Sequence, residues 1–358
     1  MISLSDITQW IHKMLFQYLN GTVAYGAELV LAGVAVIALV VAMAIIMVYA
    51  ERKFAGFFQM RWGPNRVGKW GTLQAIADTV KLMLKECITP NNADKPMFKL
   101  APIIITVVGF LALAPFAFAK GIVLWDMNIG VFYVTAISSL SVIGILMGGW
   151  ASNNKYSLLG ALRSGAQIVS YELSAGLSIA AIIVMSGSMS LNDIILAQTD
   201  GWWILRGHIP AIIAFVISII ASTAEANRSP FDLAEGEQEL TGGYHTEYSG
   251  IQFALFFLAE YTTMFILAML NITLFLGGWM PFHIPGLTVF NHIMDFIPGI
   301  VWFFGKTFFI LFLMIWFRWT FPRMRIDKLL KLEWKYLLPI SIVNLLFAAF
   351  ITLMGWHF

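Results

Sequence analysis

The stretch LVLAGVAVIALVVAMAIIMVYA, Leu29 to Ala50, runs 22 residues without a charge and ends directly on Glu51-Arg52-Lys53. About 20 apolar residues carry a helix across the hydrocarbon core of a bilayer, so this stretch predicts a membrane span with a charged stop. Seven further runs have comparable character: Leu100–Ala119, Val131–Trp150, Gly165–Met185, Ile209–Ala224, Ile251–Leu276, Ile300–Phe317 and Leu337–Trp356. The fourth run is broken by Gln167, Ser170, Glu172 and Ser174, and the fifth is short. Spans so poorly suited to lipid face the interior of a bundle. Mean hydropathy is +0.80, with 59% apolar and 12% charged residues. The expected fold class is therefore all-α, a polytopic membrane helix bundle with about eight transmembrane helices. It forms one multi-pass domain over residues 1–358, with no polar segment long enough to be a linker. Trp125, Trp150, Trp279, Trp319, Trp334 and Trp356 fall at run ends, where an interfacial belt places them.

Residues 1–20 lack the cationic start of a cleavable leader. Leu4, Ile7, Ile11, Met14, Leu15 and Tyr18 recur at three- and four-residue spacing, which predicts an amphipathic helix on the membrane surface. Ala42-Met43-Ala44 has the form of a cleavage site, but the apolar run continues to Ala50. Lys and Arg set the orientation. Loops 51–99, 151–164, 225–250 and 318–336 carry nine, two, one and six of them, 18 of the 22 in the chain. By the positive-inside rule these odd-numbered loops face the cytoplasm and both termini face the other side. The net charge of +2 gives a nucleic acid no reason to bind. A single cysteine, Cys87, excludes an internal disulfide and any four-cysteine iron–sulfur or zinc site made by this chain alone. The six histidines show no ligand spacing, so no metal site is expected.

The first loop is too long for a turn. After Gln59-Met60-Arg61-Trp62-Gly63-Pro64-Asn65-Arg66-Val67-Gly68 it becomes helical, with Leu73, Ile76, Val80, Met83 and Leu84 on one face. Gln74, Asp78, Lys81 and Lys85 form the other face, the pattern of a helix in the headgroup plane. Gly63 to Lys69 fits most of a phosphate-binding P-loop. However, Trp70 stands where a Ser or Thr must reach the metal, and a membrane helix precedes it in place of a strand.

The fifth loop concentrates acid. Glu225 to Glu247 reads EANRSPFDLAEGEQELTGGYHTE and holds Glu225, Asp232, Glu235, Glu237, Glu239 and Glu247 against one base, Arg228. A solvated surface loop is the ordinary explanation. Against it stand Glu172 and Glu260, acids set well inside apolar runs, where an unpaired charge is strongly disfavoured.

Together these segments resemble the membrane subunit of respiratory complex I that joins the membrane arm to the peripheral arm. The family is the H subunit of NADH-quinone oxidoreductase in bacteria and NADH dehydrogenase subunit 1 in mitochondria. The matching stretches cover nearly the whole chain. They include Glu51-Arg-Lys with Gln59 to Gly68; Ala77-Asp78 with Lys81-Leu82 and Lys85-Glu86; Leu159 to Arg163 leading to Ser170-Tyr-Glu172; Ala224 to Glu237; Ala259-Glu-Tyr261; and Phe321 to Asp327 leading to Trp334-Lys335.

The resemblance implies a subunit of proton-pumping NADH:quinone oxidoreductase in the bacterial inner membrane, with no cofactor bound by this chain and quinone as substrate. Flavin and iron–sulfur clusters would lie in partner subunits. The partners would be peripheral-arm iron–sulfur and quinone-site subunits, and antiporter-like and small membrane-arm subunits, alongside lipid. Arg52, Gln59, Arg61 and Asp78 are the quinone-binding candidates by that resemblance, in the cytoplasmic loop 51–99. Glu172, Glu225, Glu260 and the loop acids Glu235, Glu237, Glu239 and Glu247 are the proton-relay candidates, because burial and neighbouring charge poise carboxyls to switch protonation state. Arg228, three residues after Glu225, is expected on the same helical face. Arg318, Arg323 and Arg325 are expected to anchor to lipid phosphates or to the peripheral arm. Glu28 and Lys306 are expected to snorkel to an interface, with an intramembrane acid as the alternative partner for Lys306. Two other classes fit some of these features: the related subunit of a membrane-bound hydrogenase, and a secondary ion transporter. The latter normally shows internal repeats, which are absent here.

Overall fold

In the computed structural model the described residues are 12–14, 16–17, 20–199, 201–233, 236–283 and 288–355, excluding the side chains of Glu237, Gln238 and Thr288. Eight helices among them are long and apolar enough to cross a membrane. They are α1 (Gly21–Phe58), α3 (Lys95–Ala112), α4 (Gly130–Ala151), α5 (Lys155–Ser186), α6 (His208–Glu225), α7 (Gly250–Phe275), α8 (Gly299–Thr320) and α9 (Ile326–Leu353). A shorter helix, α2 (Gln74–Leu84), lies in the first loop and has Leu73, Ile76, Val80, Met83 and Leu84 exposed along its apolar side. The surface helix expected over residues 1–20 lies largely outside the described residues; 12–14 and 16–17 are helical.

The boundaries depart from the apolar runs where local chemistry intervenes. The second span stops at Ala112, because Pro115 cannot donate to a helix and restricts the residue before it. Ala117–Ala119 instead pairs antiparallel with Ile122–Val123. The fourth span begins ten residues before the apolar run, at Lys155, because the Asn154 side chain caps it by accepting from Tyr156 N at 2.9 Å. Residues 155–164, read as loop from their polarity, are therefore helix.

α7 is the central helix. From Met264 to Phe275 every residue is buried, packed against α1, α6, α8 and the connection after α5. At its far end the Lys306 ammonium, from α8, donates to the main-chain carbonyls of Leu276, Gly278 and Met280 at 2.6, 2.9 and 2.6 Å. Lys306 thus neither snorkels nor meets an acid; it caps a helix C-terminus, where a cation is favoured.

The fifth loop is packed down and not a free solvated strand of acids. Pro102 inside α3 leaves the Phe98 carbonyl without its helical donor, and the Tyr248 hydroxyl donates to it at 3.1 Å while the two rings stack. Ser157 Oγ donates to Tyr244 O, and Asn154 donates to Glu247. At the other end of the loop Arg323 pairs with Asp232 at 2.6 Å.

Candidate functional site

Glu51 follows the uncharged run of α1 and is buried within a nest of donors. Arg228 Nη1 donates to Oε1 and Oε2 at 3.0 and 3.2 Å, Arg318 Nη1 donates to Oε1, and the Tyr261 hydroxyl donates to Oε2 at 2.5 Å. Arg228 Nε also lies 2.8 Å from Glu260 Oε1, an ionic contact without hydrogen-bond alignment, and its guanidinium sits 4.6 Å from the Tyr261 ring centre. The four charges sum to zero, as a buried ionic cluster requires if it is not to be strongly disfavoured. Burial works against the Arg228 charge, but Glu260 and then Glu51 outweigh it, so its pKa stands above the usual arginine value.

A cavity of about 460 Å³ opens beside this cluster, lined among others by Glu51, Arg52, Arg61, Arg228, Glu260 and Arg318. The tight path of residues 56–71 shapes one wall. A Cβ on Gly56 would meet Arg61 O and Gly63 N at 2.8 Å, and Gly71, at φ +78°, lies against the Pro64 carbonyl. Within the P-loop-like stretch, Gly63 likewise lies close to the backbone of α1, where a Cβ would meet Arg52 O at 3.0 Å.

A second cavity of about 540 Å³ is almost wholly apolar and lies between α1, α2 and α7. It shares Val48, Arg52, Phe257 and Tyr261 with the first. At its edge Arg52 Nη1 donates to Asp78 Oδ2 at 2.5 Å, and Gln74 donates to Asp78 Oδ1. Burial raises the Asp78 pKa, but the Arg52 hydrogen bond and charge prevail, so it lies below the usual aspartate value.

On the other side of Glu260 a small cavity of about 30 Å³ joins Glu260 to Glu225 and Asn227. Glu225 in turn lines a fourth cavity of about 290 Å³ together with Glu172, Ser138, Ser218 and Ser222. Ser139 Oγ donates to Glu172. Four cavities thus follow one another, each sharing wall residues with the next: apolar slot, charged pocket, Glu260–Glu225 link, Glu225–Glu172 chamber.

The family model of NADH dehydrogenase matches residues 31–349. The chain is 54% identical over 358 residues to the NADH-quinone oxidoreductase H subunit of Bacteroides thetaiotaomicron and to that of Bacteroides fragilis, covering all of both chains. The corresponding protein of Brevibacillus brevis, of the same description, is 48% identical over 320 residues, 89% of this chain and 92% of that one. The chain belongs to the NADH-quinone oxidoreductase H-subunit family. It is a membrane-embedded component of that oxidoreductase complex, and its activity belongs to the assembly.

In this member of the family the fold brings together Arg52, Arg61 and Asp78 on the first two cavities, and Glu260, Glu225 and Glu172 on the row behind them. Gln59 caps the end of α1, exposed and away from these cavities. Glu239 is exposed and pairs with Arg163 at 2.8 Å, and Glu247 accepts from Asn154, so neither joins the row. Glu235 and the Glu237 side chain lie outside the described residues. Arg228 does not share a helical face with Glu225: α6 ends at Glu225, and Asn227 turns the chain at φ 50°. Arg318 points inward to Glu51 and Arg323 to Asp232, while Arg325 is exposed beside Asp327 at 3.5 Å. Sequence reasoning did not select Glu51, Tyr261 or Arg318 as site residues. The signal that could have found them was Glu51 itself, an acid directly after a 22-residue apolar run.

Proposed function

We propose that the apolar slot admits the isoprenoid tail of quinone from the membrane, that the charged pocket receives the headgroup, and that Glu260, Glu225 and Glu172 carry the resulting proton demand into the bundle. The observation that carries this reading is the succession of four cavities with shared walls. A mostly apolar pocket ending in a few aimed polar groups is the general form of a site for an amphipathic ligand. Reduction of quinone takes two electrons and two protons. Electrons arrive from partner subunits, and this chain supplies position and protons.

Arg52 and Arg61 favour the negative charge that gathers on a reduced headgroup before it is protonated. The Glu51 cluster sets the electrostatic level of the pocket: a charge change at the headgroup is felt by Arg228, and through it by Glu260 at 2.8 Å. The small link then couples Glu260 to Glu225, and the last chamber couples Glu225 to Glu172. The positive loops, including the one carrying Arg52 and Arg61, face the cytoplasm in this reading.

Glu225→Gln in the assembled enzyme tests it, because the substitution keeps shape and removes the titratable proton. Quinone reduction and proton pumping fall, while NADH oxidation by an artificial acceptor at the flavin site is unchanged. Normal quinone reduction and pumping in E225Q refutes the row as a relay.

A further inference from the structure

One buried acid has no place in that row. Glu333 lies at the start of a π-helical turn, Glu333–Leu337, inside α9, and its side chain is 1% exposed. Such turns widen a helix locally and are concentrated at functional positions. Ser174 Oγ of α5 donates to Glu333 Oε2 at 3.0 Å, and Oε1 is buried without a hydrogen-bond partner among the described residues.

The partner face of α5 is polar over three turns. Gln167, Tyr171, Ser174 and Ser178 recur at spacings of four, three and four, and all are buried. This face looks away from Glu172, whose partner is Ser139 on α4. The Tyr171 hydroxyl donates across to Leu329 O of α9, one turn before Glu333. Gln167 Nε2 donates to Ala224 O and Asn227 Oδ1, and its own Oε1 is a second buried acceptor without a partner among the described residues. Asn227 lines the small cavity that joins Glu260 to Glu225. Further along α9, Asn344 donates to Pro210 O and holds a third such acceptor, Oδ1.

Buried acceptors closed off from protein donors are satisfied by water or by an acid proton. The two on this face, Glu333 Oε1 and Gln167 Oε1, therefore mark it as a place where protons and water are held between apolar helices. Beyond accepting the Ser174 hydrogen bond, a carboxyl at 333 brings to this seam the ability to take and give a proton. We propose that Glu333 is a side station for protons, exchanging with the Glu260–Glu225 row along this polar face of α5, with water spanning the intervals between Ser174, Tyr171, Gln167 and Asn227. The step is a bare proton transfer: the carboxylate accepts a proton as the row fills and returns it as quinone reduction draws the row down. No electron moves at Glu333.

This inference rests on the relay reading, so Glu333→Gln and Glu225→Gln are measured side by side in the assembled, membrane-bound enzyme. E333Q keeps the shape and the Ser174 hydrogen bond. Coupled proton pumping is expected to fall by about tenfold, less than the roughly hundredfold or more of a sole proton-transfer group. The redox-induced infrared difference spectrum is expected to lose a protonated-carboxyl C=O band that Glu333→Asp retains. Wild-type pumping with an unchanged spectrum in E333Q, beside an impaired E225Q, overturns the side station alone; wild-type pumping in both overturns the relay with it. Ser174→Ala supplies a check that leaves the acid in place. It shifts the same carboxyl band, and a band that does not move overturns the assignment.

Discussion

Arg228→Met isolates the central ion pair of the charged pocket. The methionine stem replaces the apolar part of the arginine and leaves two buried acids, Glu51 and Glu260, without their shared cation. Removing one partner of a buried pair costs about 3–5 kcal/mol. Glu51 keeps Arg318 and Tyr261, so about 3 kcal/mol, the lower end of that range, is expected. Neutralising the other partner should restore part of it: R228M/E260Q is expected to recover about 1–3 kcal/mol relative to R228M, the coupling of residues in direct contact. The assay is the half-life of quinone-reductase activity of the solubilised enzyme at elevated temperature, where about 3 kcal/mol corresponds to about a hundredfold. Turnover itself should stay low in the double variant, since Glu260 is then unable to titrate. Strict additivity of the two substitutions in half-life would refute the Arg228–Glu260 pairing and the electrostatic route from headgroup to row.

Two further outcomes follow from groups at the edges of the bundle. Asp78 has a pKa below its unfolded value, so the Arg52–Asp78 contribution is complete above about pH 4 and is lost as pH falls through the lower, folded value. The stability difference between wild type and Asp78→Asn should accordingly be constant from about pH 5 to about 8 and shrink on acidification below about pH 4; a difference that grows on acidification contradicts it. Lys306→Met removes three charge-assisted hydrogen bonds, each worth about 1.5–3 kcal/mol, and should lower the thermal midpoint of the complex while leaving the KM for quinone unchanged. A raised KM with an unaltered midpoint would place Lys306 in the site.

The helix bundle was legible in the sequence because lipid imposes a length and a polarity on every span. Each of the eight runs corresponds to an observed helix; among the misplaced ends, those at Pro115 and Asn154 are decided by a single residue, while α1 outruns its apolar stretch by eight residues at each end and α9 begins eleven residues early, at Ile326. Of the candidate site, Glu172 and Glu260 stood out by the cost of an acid in apolar surroundings, and Arg52, Arg61 and Asp78 by resemblance alone. Arg318 carries no such signature: it stands at the start of a basic segment and reads as an interfacial anchor, yet its partner is 267 residues away in the chain. Glu333 is hidden the same way, flanked by Lys331 and Lys335 in what reads as a cytoplasmic basic loop. The sense of Glu239 and Glu247 was lost for the opposite reason. They belong to a stretch of chain rich in acids, but their spatial neighbours, Arg163 and Asn154, come from the first turns and the cap of α5.

α7 forms part of the wall of all four cavities: Ala254 and Leu258 in the slot, Phe257 and Tyr261 in both slot and pocket, Glu260 in pocket and link, Ile266 and Leu270 in the far chamber. Clamped by Lys306 at one end, it is a single rod threaded through every compartment. No compartment can change width at this wall without the rod bending or turning, and a bend or turn anywhere between is transmitted along a continuous helix. On the proposed function, a quinone tail against Leu258 and a carboxyl at Glu225 would thereby be linked mechanically as well as electrically.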